Sequence, residues 1–118
     1  MKYLCLVYNE EKTLNALSES EYNALAGEHL TYGEALQKSG HLIATEALQF
    51  VETATTVRVR SGKVSTTDGP FAETKEQLGG FFLIDAKDLN EAIQLAAQIP
   101  SARLGCIEVR PIKECSQP

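Results

Sequence analysis

Residues 2–8 of this chain read Lys-Tyr-Leu-Cys-Leu-Val-Tyr. Every position after the lysine is apolar or aromatic. A strand drawn through them is therefore apolar on both faces, with Tyr3, Cys5 and Val7 on one and Leu4, Leu6 and Tyr8 on the other. Such a strand belongs in the middle of a sheet that is covered on both sides. Phe81–Asp85, entered through Gly79-Gly80, has the same character. Any fold of this chain must bury both faces of a sheet.

The rest of the pattern supplies the covering layers. Ser18 with Glu21 three residues later is a capping box. Tyr22, Leu25, His29, Tyr32 and Leu36 then recur at helical spacing, and Gly40 is a natural stop. Leu42–Leu48 reads as a strand. Thr56–Arg60 and Lys63–Thr67 flank Ser61-Gly62, a two-residue hairpin turn that sets Arg60 opposite Lys63, Val59 opposite Val64 and Val57 opposite Thr66. Asp68-Gly69-Pro70 breaks the chain, and Phe71 is expected to plug an apolar gap behind that turn. Asp88 and Glu91 form a second capping box, with Leu89, Ala92, Ile93, Ala96 and Ile99 as the buried stripe up to Pro100. Cys106–Ile112 is the last strand.

The order β-α-β-(β-β)-β-α-β predicts an α+β fold, a ferredoxin-like split βαβ with an extra β-hairpin, in one domain over residues 1–118. Two helices cover only one sheet face. A second copy of the chain is the commonest cover for the other, so a homodimer is expected.

The chain carries 11 basic against 16 acidic residues, a net charge of −5, which argues against nucleic acid as a partner. No apolar run approaches the ~20 residues of a membrane span. The short apolar start is followed by acidic residues and no cleavage site, so it reads as part of the mature chain. Cys5, Cys106 and Cys115 form an odd, scattered set, which points to free thiols and a cytoplasmic setting. Cys5 and Cys106 are expected in the core. No glycine-rich phosphate loop, nucleophile elbow or metal-ligand spacing is present, so neither a cofactor nor a metal is expected.

The stretch from Asp68 to Phe81, reading DGPFAETKEQLGGF, resembles the signature of the DGPF group of the YCII-related family. The resemblance extends to Met1–Tyr8, Glu34-Ala35-Leu36, Glu46-Ala47-Leu48, Thr56-Val57-Arg58, and Ile99–Arg103 running into Glu108–Pro111. It implies a dimeric α/β-barrel made of two ferredoxin-like subunits with their sheets face to face. Some members of the family are encoded near, or fused to, extracytoplasmic-function sigma factors, and one YCII-related relative is a dehydrochlorinase of chloroaromatic breakdown. His29-Leu30 with Gly40 eleven positions after His29 reproduces a spacing found in the family, for which a His–Asp active site has been proposed. The resemblance thus implies His29 as the catalytic histidine and Asp68 as its carboxylate.

The residues allow two function classes. His29 lies on the buried stripe, where an imidazole can act as general acid or base. Phe71, Glu73, Lys75 and Glu76 follow a rigid turn and are candidate substrate contacts, with Glu73 and Glu76 on one face if the segment makes a helical turn. One expectation is therefore a small-molecule enzyme catalysing proton transfer on an aromatic or anionic substrate. The other is a non-enzymatic dimeric module that binds a regulatory partner, in line with the sigma-factor association. Arg58, Arg60 and Lys63 read as a solvated hairpin face.

Overall fold

The computed structural model describes residues 1–114. Cys115, read above as a free thiol, lies outside the described residues. The elements are β1 (Lys2–Asn9), α1 (Glu11–Asn15), α2 (Glu19–Lys38), β2 (Leu42–Ala47), β3 (Thr55–Arg60), β4 (Lys63–Asp68), β5 (Gln77–Asp85), α3 (Leu89–Ala97) and β6 (Cys106–Pro111). Short 3-10 turns occupy Val51–Thr53 and Pro100–Arg103.

Four strands form one antiparallel sheet in the order β2-β5-β1-β6. The two strands apolar on both parities are the two central ones, as their composition requires. The order is that of a split βαβ, with α2 and α3 in the two crossovers. The hairpin β3-β4 forms a separate two-stranded sheet. Its register pairs Arg60 with Lys63, Val59 with Val64 and Val57 with Thr66, as the turn chemistry dictates, and Ser61 and Gly62 both hold positive φ.

α2 begins where its capping box places it: Ser18 Oγ accepts from the Glu21 amide, and the Glu21 carboxylate accepts from the Ser18 amide. It ends at Gly40, φ +81°, where the His41 amide donates to the Leu36 carbonyl and the Gly40 amide to that of Gln37. This is a Schellman closure, which requires the left-handed conformation glycine adopts without strain. In α3 the Asp88 carboxylate caps the Glu91 amide, but Glu91 reaches back to the amide of Lys87 rather than of Asp88.

The core lies between the helices and one sheet face. Tyr3, Cys5 and Val7 of β1 and Phe82 and Ile84 of β5 meet Leu36, Ala92, Ala96 and Ile99. On the opposite face Leu4, Leu6, Tyr8, Phe81 and Leu83 are only half-buried. The molecule is a slab 47 × 47 × 20 Å, its thickness that of one helix layer on one sheet.

Several expectations change. α1 was not anticipated, since a single turn carries little periodicity. β5 begins at Gln77, so Gly79 and Gly80 lie inside the strand. Leu89 and Ile93 are exposed while Leu95 packs on the core, because α3 is rotated to press its alanines against the sheet. Cys106 is exposed: it pairs with Tyr8 on the half-buried face. Residues 71–76 make no helical turn, and Phe71, 81% exposed, plugs no gap.

Candidate functional site

Burial along the stripe of α2 rises from Tyr22, 44% exposed, to Leu36, 3% exposed. The helix thus meets the sheet at its C-terminal end and stands off it at the other. The space beneath is a cavity of about 380 Å³. Leu25 and His29 of α2 form one wall, and Val7, Asn9 and Phe82 of the central strands form the other. Leu14 of α1 and Leu48 and Phe50 after β2 complete the lining.

The floor is built by sequence. The β1–β5 register pairs Val7 with Gly80 and Tyr8 with Leu78, so Gly79 is an extra, bulged residue. A Cβ on Gly80 would stand 2.7 Å from the Glu46 carbonyl oxygen, so only glycine lets β2 approach there. Two adjacent residues without side chains leave the floor open.

Glu11 braces the rim. Its carboxylate accepts from the Val51 amide at 3.0 Å, and its own amide donates to the Gln77 side-chain oxygen at 2.9 Å. Among the described residues, no lysine or arginine lines the cavity.

His29 sits at the inner end of the site. One turn earlier on the same helix, the Leu25 carbonyl lies 3.0 Å from His29 Nδ1. A carbonyl only accepts, so the neutral ring carries its proton on Nδ1 and leaves Nε2 as an acceptor. Nε2 lies 2.9 Å from the Ser101 Oγ, whose hydroxyl therefore donates to it. The ring stacks on Phe82 with centroids 6.5 Å apart and planes 25° apart. Both ring nitrogens are thus engaged within the chain, and the arrangement is a Ser–His pair with its tautomer set by the helix backbone.

Ser101 is held by the 3-10 turn after α3. Its carbonyl accepts from the Leu104 and Gly105 amides, and Ile99 and Pro100 beside it are buried. Ser101 itself is 2% exposed. Arg103 reaches Glu28 of α2 at 2.8 Å, a solvent-exposed pair that adds alignment more than stability.

The expected site residues divide. His29 lines the cavity; Asp68, Phe71, Glu73, Lys75 and Glu76 do not. Within one copy of the chain, His29 bonds to Ser101 rather than to Asp68. The reason is topological: Asp68 ends β4, paired with Thr55 in the separate hairpin sheet. The turn after it is tied to that hairpin, with the Gly69 amide donating to the Ala54 carbonyl and the Thr56 hydroxyl to the Gly69 carbonyl. Glu73 and Lys75 are exposed, and Glu76 lies beside the Cys106 thiol. Partial desolvation of this exposed thiol, reinforced by the Glu76 and Glu108 carboxylates, pushes its pKa up, so it is no activated nucleophile.

Sequence reasoning missed Ser101 and Asn9. Ser101 follows Pro100 in a segment that reads as a helix terminator, and nothing local marks its hydroxyl as facing His29. Asn9 continues the alternation Tyr3, Cys5, Val7 onto the helix-facing side of β1. That register is the signal from which it was legible.

Comparison with known proteins agrees with this architecture. The chain is 37% identical over 114 residues to an uncharacterized protein of Rhizobium meliloti, covering 95% of this chain and 92% of that protein. Its fold is similar to that of 5-chloro-2-hydroxyhydroquinone dehydrochlorinase from Burkholderia phenoliruptrix, solved in complex with 2,5-dihydroxybenzoquinone. That match has a TM-score of 0.56 at 17% identity and covers 96% of this chain and 94% of the other. The YCII-related domain matches residues 1–116, and the chain accordingly belongs to the YCII-related family.

Proposed function

We propose that this protein binds a small, uncharged, ring-shaped molecule in the cavity beneath α2, with His29 acting on it as a general acid or base through Ser101. The observation that carries this reading is the Ser101–His29 contact at the wall of a mostly apolar cavity of about 380 Å³. That volume lies within the range of small-molecule sites, and apolar walls with a few fixed polar groups are their usual make-up. The fold neighbour's bound quinone supports a ring-shaped ligand. The absence of lysine and arginine from the walls disfavours an anion.

The half-buried sheet face and the 20 Å thickness support a homodimer closed over that face. In that assembly a second copy is the source from which Asp68 and the 71–76 segment would reach a cavity.

A second reading, a partner-binding module such as a sigma-factor system would use, is favoured by one observation. Val57, Val59 and Val64 share one hairpin face and are all exposed, as is Phe71. The test is a small-ring ligand screen by thermal shift on wild type and His29→Ala, with sedimentation analysis of assembly. Ligands that stabilise wild type, and whose turnover is lost in His29→Ala, support the enzyme reading. Binding without turnover favours a ligand-binding module, and no binding by any ring compound rejects the cavity reading.

A further inference from the structure

Asn9 ends the row Tyr3, Cys5, Val7, Asn9 on the helix-facing side of β1. The first three are core residues; the fourth is a carboxamide, 8% exposed. Its Oδ1 is the one buried side-chain polar atom without a hydrogen-bond partner among the described residues. Folded proteins leave few such atoms, because each forfeits the hydration it had in water. Here the residue that carries the orphan lines the cavity.

The strand bulge explains the placement. Gly79 faces Asn9, and the Asn9 amide nitrogen stands 3.6 Å from where a Gly79 Cβ would be. A half-turn of the amide exchanges its nitrogen and oxygen, so either atom can be presented over bare glycine at the cavity floor. Gly79 has no side chain to cover the amide at that point. Glu11 is already committed to the Val51 amide, Gln77 to the Glu11 amide, Thr45 to the Phe81 carbonyl and Ser101 to His29, while Tyr22 and Glu46 are exposed, so Asn9 is the buried polar side chain left to read a ligand.

We infer that Asn9 is the specificity-determining residue of this cavity, accepting a hydrogen bond from a hydroxyl group on a neutral aromatic ligand. A hydroxyl supplies the missing donor. A carboxylate supplies none, and would meet Glu11 and Glu46 with no lysine or arginine on the walls among the described residues. The inference rests on the proposed ring-binding role of the cavity and adds the group that is recognised.

The test compares phenol, benzoate and toluene, three single rings differing in one substituent. Each is titrated into isotope-labelled protein at neutral pH, and the amide resonances of residues lining the cavity are followed. Phenol is expected to bind about fivefold more tightly than toluene, the contribution of one neutral hydrogen bond. Benzoate is expected to be the weakest of the three. In Asn9→Leu the preference for phenol over toluene falls to near unity, while thermal unfolding reports that the variant is folded. The wild-type comparison stands even if that variant does not fold. Equal binding of phenol and toluene, or tighter binding of benzoate, would overturn the role of Asn9 and leave a ring-binding cavity in place. No response to any of the three would overturn the ring-binding reading itself, and the role of Asn9 with it.

Discussion

The Ser101 hydroxyl and His29 Nε2 lie 2.9 Å apart across 72 residues of sequence, and the Leu25 carbonyl holds the other ring nitrogen. Together these contacts fix one tautomer. A long-range proton–nitrogen spectrum of neutral His29 is expected to show the proton on Nδ1. Ser101→Ala leaves Nε2 without its partner and is expected to cost about 1 kcal/mol in urea unfolding. A proton on Nε2 in the wild type would contradict the assignment.

Three glycines separate by what a methyl group would meet. At Gly79 the nearest atom is at 3.6 Å, so Gly79→Ala is expected to fold normally. At Gly80 a Cβ would lie 2.7 Å from the Glu46 carbonyl oxygen, and at Gly105 still closer to that of Tyr8. Backbone cannot yield as a side chain can, so Gly80→Ala is expected to lose about 1–3 kcal/mol and Gly105→Ala more. Denaturation midpoints would establish the order. Gly79→Leu, by contrast, is expected to fill the cavity floor and abolish phenol binding in a folded protein.

Alkaline stability follows from two acids, the buried Cys5 and the half-buried Tyr32. Burial pushes the Cys5 thiol from 9.0 to about 11. Burial, with the nearby Cys5 thiol adding to it, pushes the Tyr32 hydroxyl from 10.0 to about 12. Both groups hold their protons more tightly when folded. Their contribution is complete below the unfolded values and is lost as pH rises from 9 to about 12. The melting temperature is expected to fall across that window, less steeply in Tyr32→Phe. That variant also loses the 2.6 Å hydrogen bond to the Leu95 carbonyl, which lowers its melting temperature at neutral pH.

The capping box has the opposite dependence. Ser18→Ala is expected to cost about 0.5–2 kcal/mol at neutral pH. Hydrogen bonds from the Ser18 amide and hydroxyl lower the Glu21 carboxyl below 4.5. A lowered acid contributes stability above its unfolded value and loses it as pH falls through the folded one. The difference between wild type and Ser18→Ala is therefore expected to narrow below pH 4.5 in acid unfolding curves.

A charge on the half-buried sheet face tests the proposed dimer. Leu6→Glu points away from the helix layer, since Leu6 alternates with Cys5 and Val7. The variant is expected to sediment as a folded monomer if two copies close over that face. Unchanged sedimentation of wild type and variant would reject this mode of assembly.

Local rules were enough for much of the fold. Capping chemistry placed both ends of α2, turn chemistry fixed the β3-β4 register, and the double-faced strands were central because no other place buries both their faces. These are interactions between residues close in sequence, or consequences of side-chain period, and they read directly from the chain. The site was different. His29 was legible as a histidine on a buried stripe, but its partner was not. Ser101 faces it only because α3 and its following turn pack beside α2. Asn9 is an orphan only because Gly79 is bulged out of register and α2 stands off the sheet at that end. Asp68, carried on a separate hairpin, is sent elsewhere within one chain. Contacts of that kind depend on how whole elements cross in space, and only the tertiary packing decides them.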